Sequence, residues 1–159
     1  MIHYGRQSVS TDDVSHVTQV LNSDFLTQGP VVPRFESALA QRVHAKHAVT
    51  TNSATSALHV ACLALGLEPG DYLWTSPNSF VASANCALYC GASVDFVDID
   101  PLTYNMSAAA LSEKLAVAEK NGTLPKVVVP VHFSGQSCQM QEIKLLADHY
   151  GFKVLEDAS

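Results

Sequence analysis

No stretch of this sequence is apolar for long enough to cross a bilayer as a helix, which takes about 20 consecutive residues. The opening Met1-Ile2-His3-Tyr4-Gly5-Arg6 has no apolar core of the kind a secretory leader carries, so a cytoplasmic location is expected. Basic residues are few: 9 Lys and Arg stand against 15 Asp and Glu, giving a formal net charge of −6, and nowhere do they form a block. Nucleic acid and anionic membrane surfaces are therefore disfavoured as partners, because both demand a basic patch. Cysteine is scarce as well. Cys62, Cys86, Cys90 and Cys138 sit in apolar or helical-looking segments without CxxC spacing, which predicts buried free thiols and no metal site. Also missing are a P-loop, a G-x-G-x-x-G turn, an H-E-x-x-H helix and a nucleophile elbow with Ser, His and Asp partners.

What is present is a globular composition, 47% apolar and 15% charged, in a chain long enough for one domain with a sizeable core. Ser10-Thr11-Asp12-Asp13 has the hydroxyl cap and early acids of a helix start, and Val14, Val17 and Leu21 follow at helical spacing. Leu26-Thr27-Gln28-Gly29-Pro30 breaks that helix, and Phe35, Leu39 and Val43 mark a second. Residues 1–45 thus read as a helical segment. From about residue 46 the pattern becomes an alternation of short strands and helices. Strands are predicted at 47–51, 72–76, 94–99, 126–131 and 153–156, and helices at 54–65, 80–90, 107–120 and 139–150. Gly66, Gly91, Gly122 and Gly151 follow the helices, where a left-handed residue ends them. Val127-Val128-Val129 reads as a strand buried on both faces. The alternation predicts an α/β domain with a mostly parallel sheet flanked by helices, whose ligands gather at the carboxyl ends of the strands.

Four segments at such ends carry chemistry. Asn52-Ser53-Ala54-Thr55-Ser56-Ala57-Leu58 opens a helix with small, hydroxyl-bearing residues, which lets an anion such as phosphate approach the first-turn N–H groups. Ser53 or Thr55 also suits a plain N-cap. Phe80, in Pro77-Asn78-Ser79-Phe80-Val81-Ala82, is either a core side chain or an aromatic face against a planar ligand. Asp157 is either a solvated strand-end acid or a carboxylate that pairs with a pyridinium nitrogen and keeps it protonated. His132, in Pro130-Val131-His132-Phe133-Ser134-Gly135, suits a base, a stacking group or a structural histidine.

In order, Leu26-Thr27-Gln28-Gly29-Pro30, Asn52 to Leu58, Pro77 to Asn85, Pro130 to Gly135 and Glu156-Asp157-Ala158 resemble the DegT/DnrJ/EryC1/StrS family of sugar aminotransferases, along essentially the whole chain. That resemblance implies the fold-type-I, aspartate aminotransferase-like large domain and pyridoxal 5'-phosphate (PLP) as cofactor. It implies that Ala54, Thr55 and Ser56 bind the cofactor phosphate, that Phe80 stacks on its ring and that Asp157 holds its ring nitrogen. Tyr4, Asp24, Phe25, Leu26 and Thr27 match substrate-contacting positions. Within the family the chain is most similar to the pseudaminic-acid branch. This implies a UDP-linked 4-keto-6-deoxy-N-acetyl hexose aminated at C4, L-glutamate as amino donor and a homodimer.

One departure stands out. The family's cofactor-anchoring lysine follows the aspartate, and none of Lys46, Lys114, Lys120, Lys126, Lys144 and Lys153 lies in that context. The sequence is therefore expected to be the front part of a longer protein, inactive on its own. A sugar dehydratase of the same family, with histidine at the anchor position, and a non-catalytic truncated product are the alternatives.

Overall fold

The computed structural model describes residues 6–159. They form two compact units, divided after Thr50 and described in turn.

In the first unit α1 (Thr11–Leu21) starts where the sequence predicts. The Ser10 hydroxyl accepts from the Asp13 N–H at 3.2 Å and the Asp13 carboxylate accepts from the Ser10 N–H at 2.7 Å. This reciprocal cap satisfies two otherwise orphaned donors, and the Ser10 N–H and hydroxyl hold the Asp13 carboxyl below its ordinary range. Pro30 ends the intervening loop and leads into α2 (Val31–Arg42). No residue of either helix is buried, and Val14, Val17, Leu21, Phe35 and Leu39 all stay exposed.

The predicted strand at 47–51 does not form: these residues are irregular and join no ladder. A strand exists only through its neighbours. Here the Thr50 N–H and hydroxyl are both given to Glu36 Oε1, each at 2.8 Å, rather than to a backbone carbonyl.

The second unit holds α3 (Ala54–Ala64), β1 (Tyr72–Thr75), α4 (Ala82–Tyr89), β2 (Ser93–Phe96), α5 (Ala108–Asn121), β3 (Val127–Val129), α6 (Met140–Tyr150) and β4 (Lys153–Val154). The strands are shorter than predicted, and α4 begins at Ala82, leaving Phe80 in the turn before it. The sheet is parallel throughout, in the order β2-β1-β3-β4. Successive side chains alternate between its faces. Leu73, Val127, Val129 and Leu155 pack with Leu58 and Cys62 of α3 and with Ala82, Cys86 and Ala87 of α4. Trp74, Val128 and Val154 pack on the other side with Leu111 and Leu115 of α5 and Ile143 and Ala147 of α6. Helices thus cover both faces, as the alternation predicts, and Val127 to Val129 are wholly buried. Gly122 and Gly151 end α5 and α6 with φ of 67° and 82°, a left-handed turn that costs a side-chain-bearing residue.

The connections fix where a ligand sits. The chain leaves β1 along the α4 face and leaves β3 along the α6 face, so the loops after these neighbouring strands diverge and open a crevice at their carboxyl ends. α3 reaches the same edge from the other direction. Its C-terminal end lies at the opposite edge, where Gly66 O accepts from Lys126 Nζ at 2.6 Å just before β3. An 11-residue helix spans roughly 16 Å, which carries its N-terminus toward the carboxyl edge.

Candidate functional site

Asp157 is placed by an extension of the β3–β4 ladder beyond the regular strands. Leu155 N–H donates to Val128 O at 3.0 Å, Asp157 N–H to Pro130 O at 3.0 Å, and His132 N–H to Asp157 O at 2.9 Å. Leu155 faces α3 and α4, so strand alternation points Asp157 the same way, and Ser83 of α4 meets it there. The Ser83 hydroxyl donates to Oδ2 at 2.6 Å, while the Ser159 hydroxyl and N–H donate to Oδ1 at 2.7 and 3.1 Å. The carboxylate is only 5% exposed. Burial pushes its pKa up, but the Ser83 and Ser159 hydrogen bonds more than offset that and hold it below the ordinary range. The result is a buried carboxylate that stays ionised at the crevice.

Phe80 is not a core residue. It is 75% exposed and borders a cleft of about 160 Å³ with Thr75, Ser76, Pro77 and Ser79. Ser76 is the buried serine among these lining residues. Its hydroxyl is buried and has no hydrogen-bond partner among the described residues, an unusual state for a buried polar group. At the start of α3 the Ser53 hydroxyl accepts from the Ser56 N–H at 3.1 Å, so Ser53 is an N-cap. That bond commits the Ser56 N–H and leaves those of Ala54 and Thr55, which have no intrahelical acceptor, to face the crevice edge. Ser56 would therefore offer a ligand its hydroxyl rather than its N–H.

His132 is pinned through both ring nitrogens. Nδ1 accepts from the Cys138 N–H at 3.2 Å, which puts the ring proton on Nε2, and Nε2 donates to Glu156 Oε2 at 3.0 Å. Asn105, buried between two loops, accepts from the Phe133 N–H at 2.9 Å and donates to Gln136 O and Ser137 O at 3.0 and 3.1 Å. Together they clamp the loop after β3. This is the structural role among those open to His132.

The remaining sequence-predicted residues belong to the first unit. Asp24 and Phe25 border a cleft of about 310 Å³ with His16, Pro30, Val31 and Arg34; Leu26 and Thr27 do not line it. Gly29 packs there so closely that a Cβ would stand 2.8 Å from Phe25 Cβ. Tyr4 lies outside the described residues. Two lysines of the second unit are engaged away from Asp157. Lys114 pairs with Asp95 at 2.7 Å and lies over Trp74, on the α5 face, while Lys126 pairs with Asp71 at 2.7 Å. Among the described residues no cluster of His, Cys, Asp and Glu is arranged to hold a metal.

Ser83, Asn105 and Glu156 carry much of this geometry; Ser83 and Glu156 lie inside the motifs quoted above without a role of their own, and Asn105 lies in none of them. For Ser83 a signal existed: with Ala82, Cys86 and Ala87 it lies on the buried face of a short helix, where a hydroxyl needs a partner.

The model of the DegT/DnrJ/EryC1/StrS aminotransferase family matches residues 7–159. The chain is 40% identical over 159 residues to the putative pyridoxal phosphate-dependent aminotransferase EpsN of Bacillus subtilis, covering 99% of this chain and 41% of that protein. It is also 40% identical over 159 residues to the UDP-4-amino-4,6-dideoxy-N-acetyl-beta-L-altrosamine transaminase of Campylobacter jejuni, covering 100% of this chain and 41% of that protein. Among solved structures, Helicobacter pylori PseC, an aminotransferase involved in the biosynthesis of pseudoaminic acid, matches with a TM-score of 0.90 at 31% identity, over 99% of this chain and 41% of that one. The chain therefore spans about two fifths of the length of these relatives. Matched along nearly all of its length, this chain belongs to the DegT/DnrJ/EryC1/StrS aminotransferase family.

Proposed function

We propose that this chain forms part of the large domain of a PLP-dependent nucleotide-sugar aminotransferase, with residues 46–159 as cofactor-holding core and residues 1–45 as a segment that contacts substrate. The observation that carries this reading is the buried, ionised Asp157 at the carboxyl edge of the sheet. The residues present fit the cofactor. A carboxylate held below its ordinary pKa suits a protonated ring nitrogen, the exposed Phe80 suits a ring face, and the start of α3 suits a phosphate. The unpartnered Ser76 hydroxyl leaves a donor for a polar ligand atom beside them.

When bound, the cofactor would supply an aldehyde group that takes up and gives back the amino group, and an electron-withdrawing ring that stabilises negative charge beside it. Asp157 keeps the proton on the ring nitrogen. The N–H groups of Ala54 and Thr55, with the Ser56 hydroxyl and the positive end of α3, bind the phosphate. Phe80 covers one face of the ring and excludes water from it. The substrate is a UDP-linked 4-keto-6-deoxy-N-acetyl hexose, aminated at C4 with L-glutamate as donor, and Tyr4, Asp24, Phe25, Leu26 and Thr27 contact it. The name of the Campylobacter relative supports this sugar; EpsN, equally identical, carries no sugar in its name. The working protein is a cytoplasmic homodimer.

The test is to incubate the full-length gene product with PLP, L-glutamate and the UDP-4-keto sugar, and to follow both products by mass spectrometry. The expected result is a UDP-amino sugar and 2-oxoglutarate in equal amounts. Loss of water from the sugar without consumption of glutamate would overturn the reading in favour of a dehydratase. No turnover of either substrate would overturn it in favour of a non-catalytic protein.

A further inference from the structure

We propose that Ser83, backed by Ser79, is a positioning residue that keeps Asp157 ionised and aims it at a protonated ring nitrogen. This rests on the reading of Asp157 as the partner of that nitrogen. It extends that reading to two side chains of a different element.

α4 is a short helix with four buried residues, Ala82, Ser83, Cys86 and Ala87. Ser83 alone among them carries a hydroxyl, and it is 1% exposed. A hydroxyl there is costly unless it is bonded. Its bond is the 2.6 Å contact to Asp157 Oδ2, formed across 74 residues of sequence. The Ser79 hydroxyl, four residues earlier in the turn before α4, lies 3.2 Å from the Ser83 hydroxyl. A serine has one proton to give. With the Ser83 proton committed to the carboxylate, the Ser79 hydroxyl must be the donor in the second bond. The protons therefore run one way, from Ser79 to Ser83 to Asp157, and each bond polarises the next.

This direction has a chemical consequence. Oδ1 is served by Ser159, whereas among the described residues Oδ2 has Ser83 alone. Remove the Ser83 hydroxyl and burial, the largest influence on this carboxyl, loses its main opposition. The protonated form then gains, and a neutral carboxyl cannot hold a pyridinium proton. The other titratable groups facing Asp157 are Cys86 from α4 and His132 from the loop after β3, the latter already tied to Glu156. Neither takes over the contact that Ser83 makes to Oδ2.

The test uses the full-length protein with selectively 13C-labelled aspartate, and follows the Asp157 carboxyl by NMR against pH without cofactor. Ser83→Ala is expected to raise its midpoint by about 1–2 pH units, a 10- to 100-fold change in the protonation equilibrium, the size of a lost hydrogen bond to a charged group. Ser83→Thr restores the hydroxyl and the midpoint. Ser79→Ala moves it the same way by less, and that more exposed position keeps the test alive should Ser83→Ala fail to fold. A merely structural role would lower the melting temperature and leave the titration where it was. An Asp157 midpoint unchanged in both alanine variants overturns the proposal. The second readout is the absorbance of bound PLP against pH. In Ser83→Ala its transition should move in step with Asp157. If Asp157 shifts without cofactor but the bound-PLP spectrum ignores both Ser83→Ala and Asp157→Asn, the carboxylate does not face the ring nitrogen. The aim assigned to Ser83 then fails together with that reading.

Discussion

Replacing Asp157 separates two properties of the site, its stability and its charge. Asp157→Ala deletes the acceptor of three hydrogen bonds, one from Ser83 and two from Ser159. Ser159 is exposed and turns to water at little cost. Ser83 is 1% exposed and cannot. A buried donor left unsatisfied costs about 1–3 kcal/mol, but the Ser79 oxygen at 3.2 Å offers partial relief. The expected loss is thus at the lower end, about 1–2 kcal/mol at neutral pH. Asp157→Asn keeps the shape and offers Ser83 an amide with which to reverse the bond, so its loss should be under about 1 kcal/mol. The pH dependence carries the sign. Because the folded pKa of Asp157 is depressed, its ionisation stabilises the fold above the unfolded value, about 3.9, and that stabilisation is lost as pH falls through the lower folded value. Urea unfolding of wild type and both variants should therefore show the gap between wild type and Asn narrowing in acid. Wild-type stability in Asp157→Ala at neutral pH, or a gap that widens in acid, would refute the geometry drawn for this carboxylate. In the loaded protein both variants should lose transamination by on the order of 10²–10³, the scale of one preorganised electrostatic contact.

Two further outcomes test the frame that holds the site. Leu115 is fully buried on α5 against the sheet, and Leu115→Ala should cost about 2–5 kcal/mol in the same unfolding experiment. Gly91 and Gly122 both have positive φ, 74° and 67°, but a Cβ on Gly91 would stand 2.9 Å from Pro69 Cγ whereas one on Gly122 meets nothing within 4 Å. Gly91→Ala should therefore lower the melting temperature clearly more than Gly122→Ala, since only the first adds a clash to the cost of a left-handed backbone.

The predicted helices were legible because their signals are local. Ser10, Ser53 and Ser107 each accept from the N–H three residues on, and Gly122 and Gly151 end their helices by backbone geometry alone. Failure came where structure depends on a distant neighbour. Residues 47–51 have strand-like composition, yet a ladder needs a second strand and Thr50 finds a carboxylate instead. The turn at Phe80 has helix-like composition, yet α4 starts two residues later, at Ala82.

For the site the division falls in the same place. Sequence alone determined that an α/β domain would present Asp157 and Phe80 near strand ends and that a serine cap at Ser53 would open a helix, because alternation and capping act over one to four residues, whereas the strand expected before that cap does not form. It also carried the order of motifs that marks the family. Only the tertiary structure decided which groups meet: Ser83 with Asp157 across 74 residues, His132 with Glu156 across 24 and Lys126 with Asp71 across 55. It also decided that Phe80 is exposed rather than buried. Such pairings depend on the order of the strands and on which face each helix covers. These are choices made by burial of the whole chain, and no short window of residues encodes them.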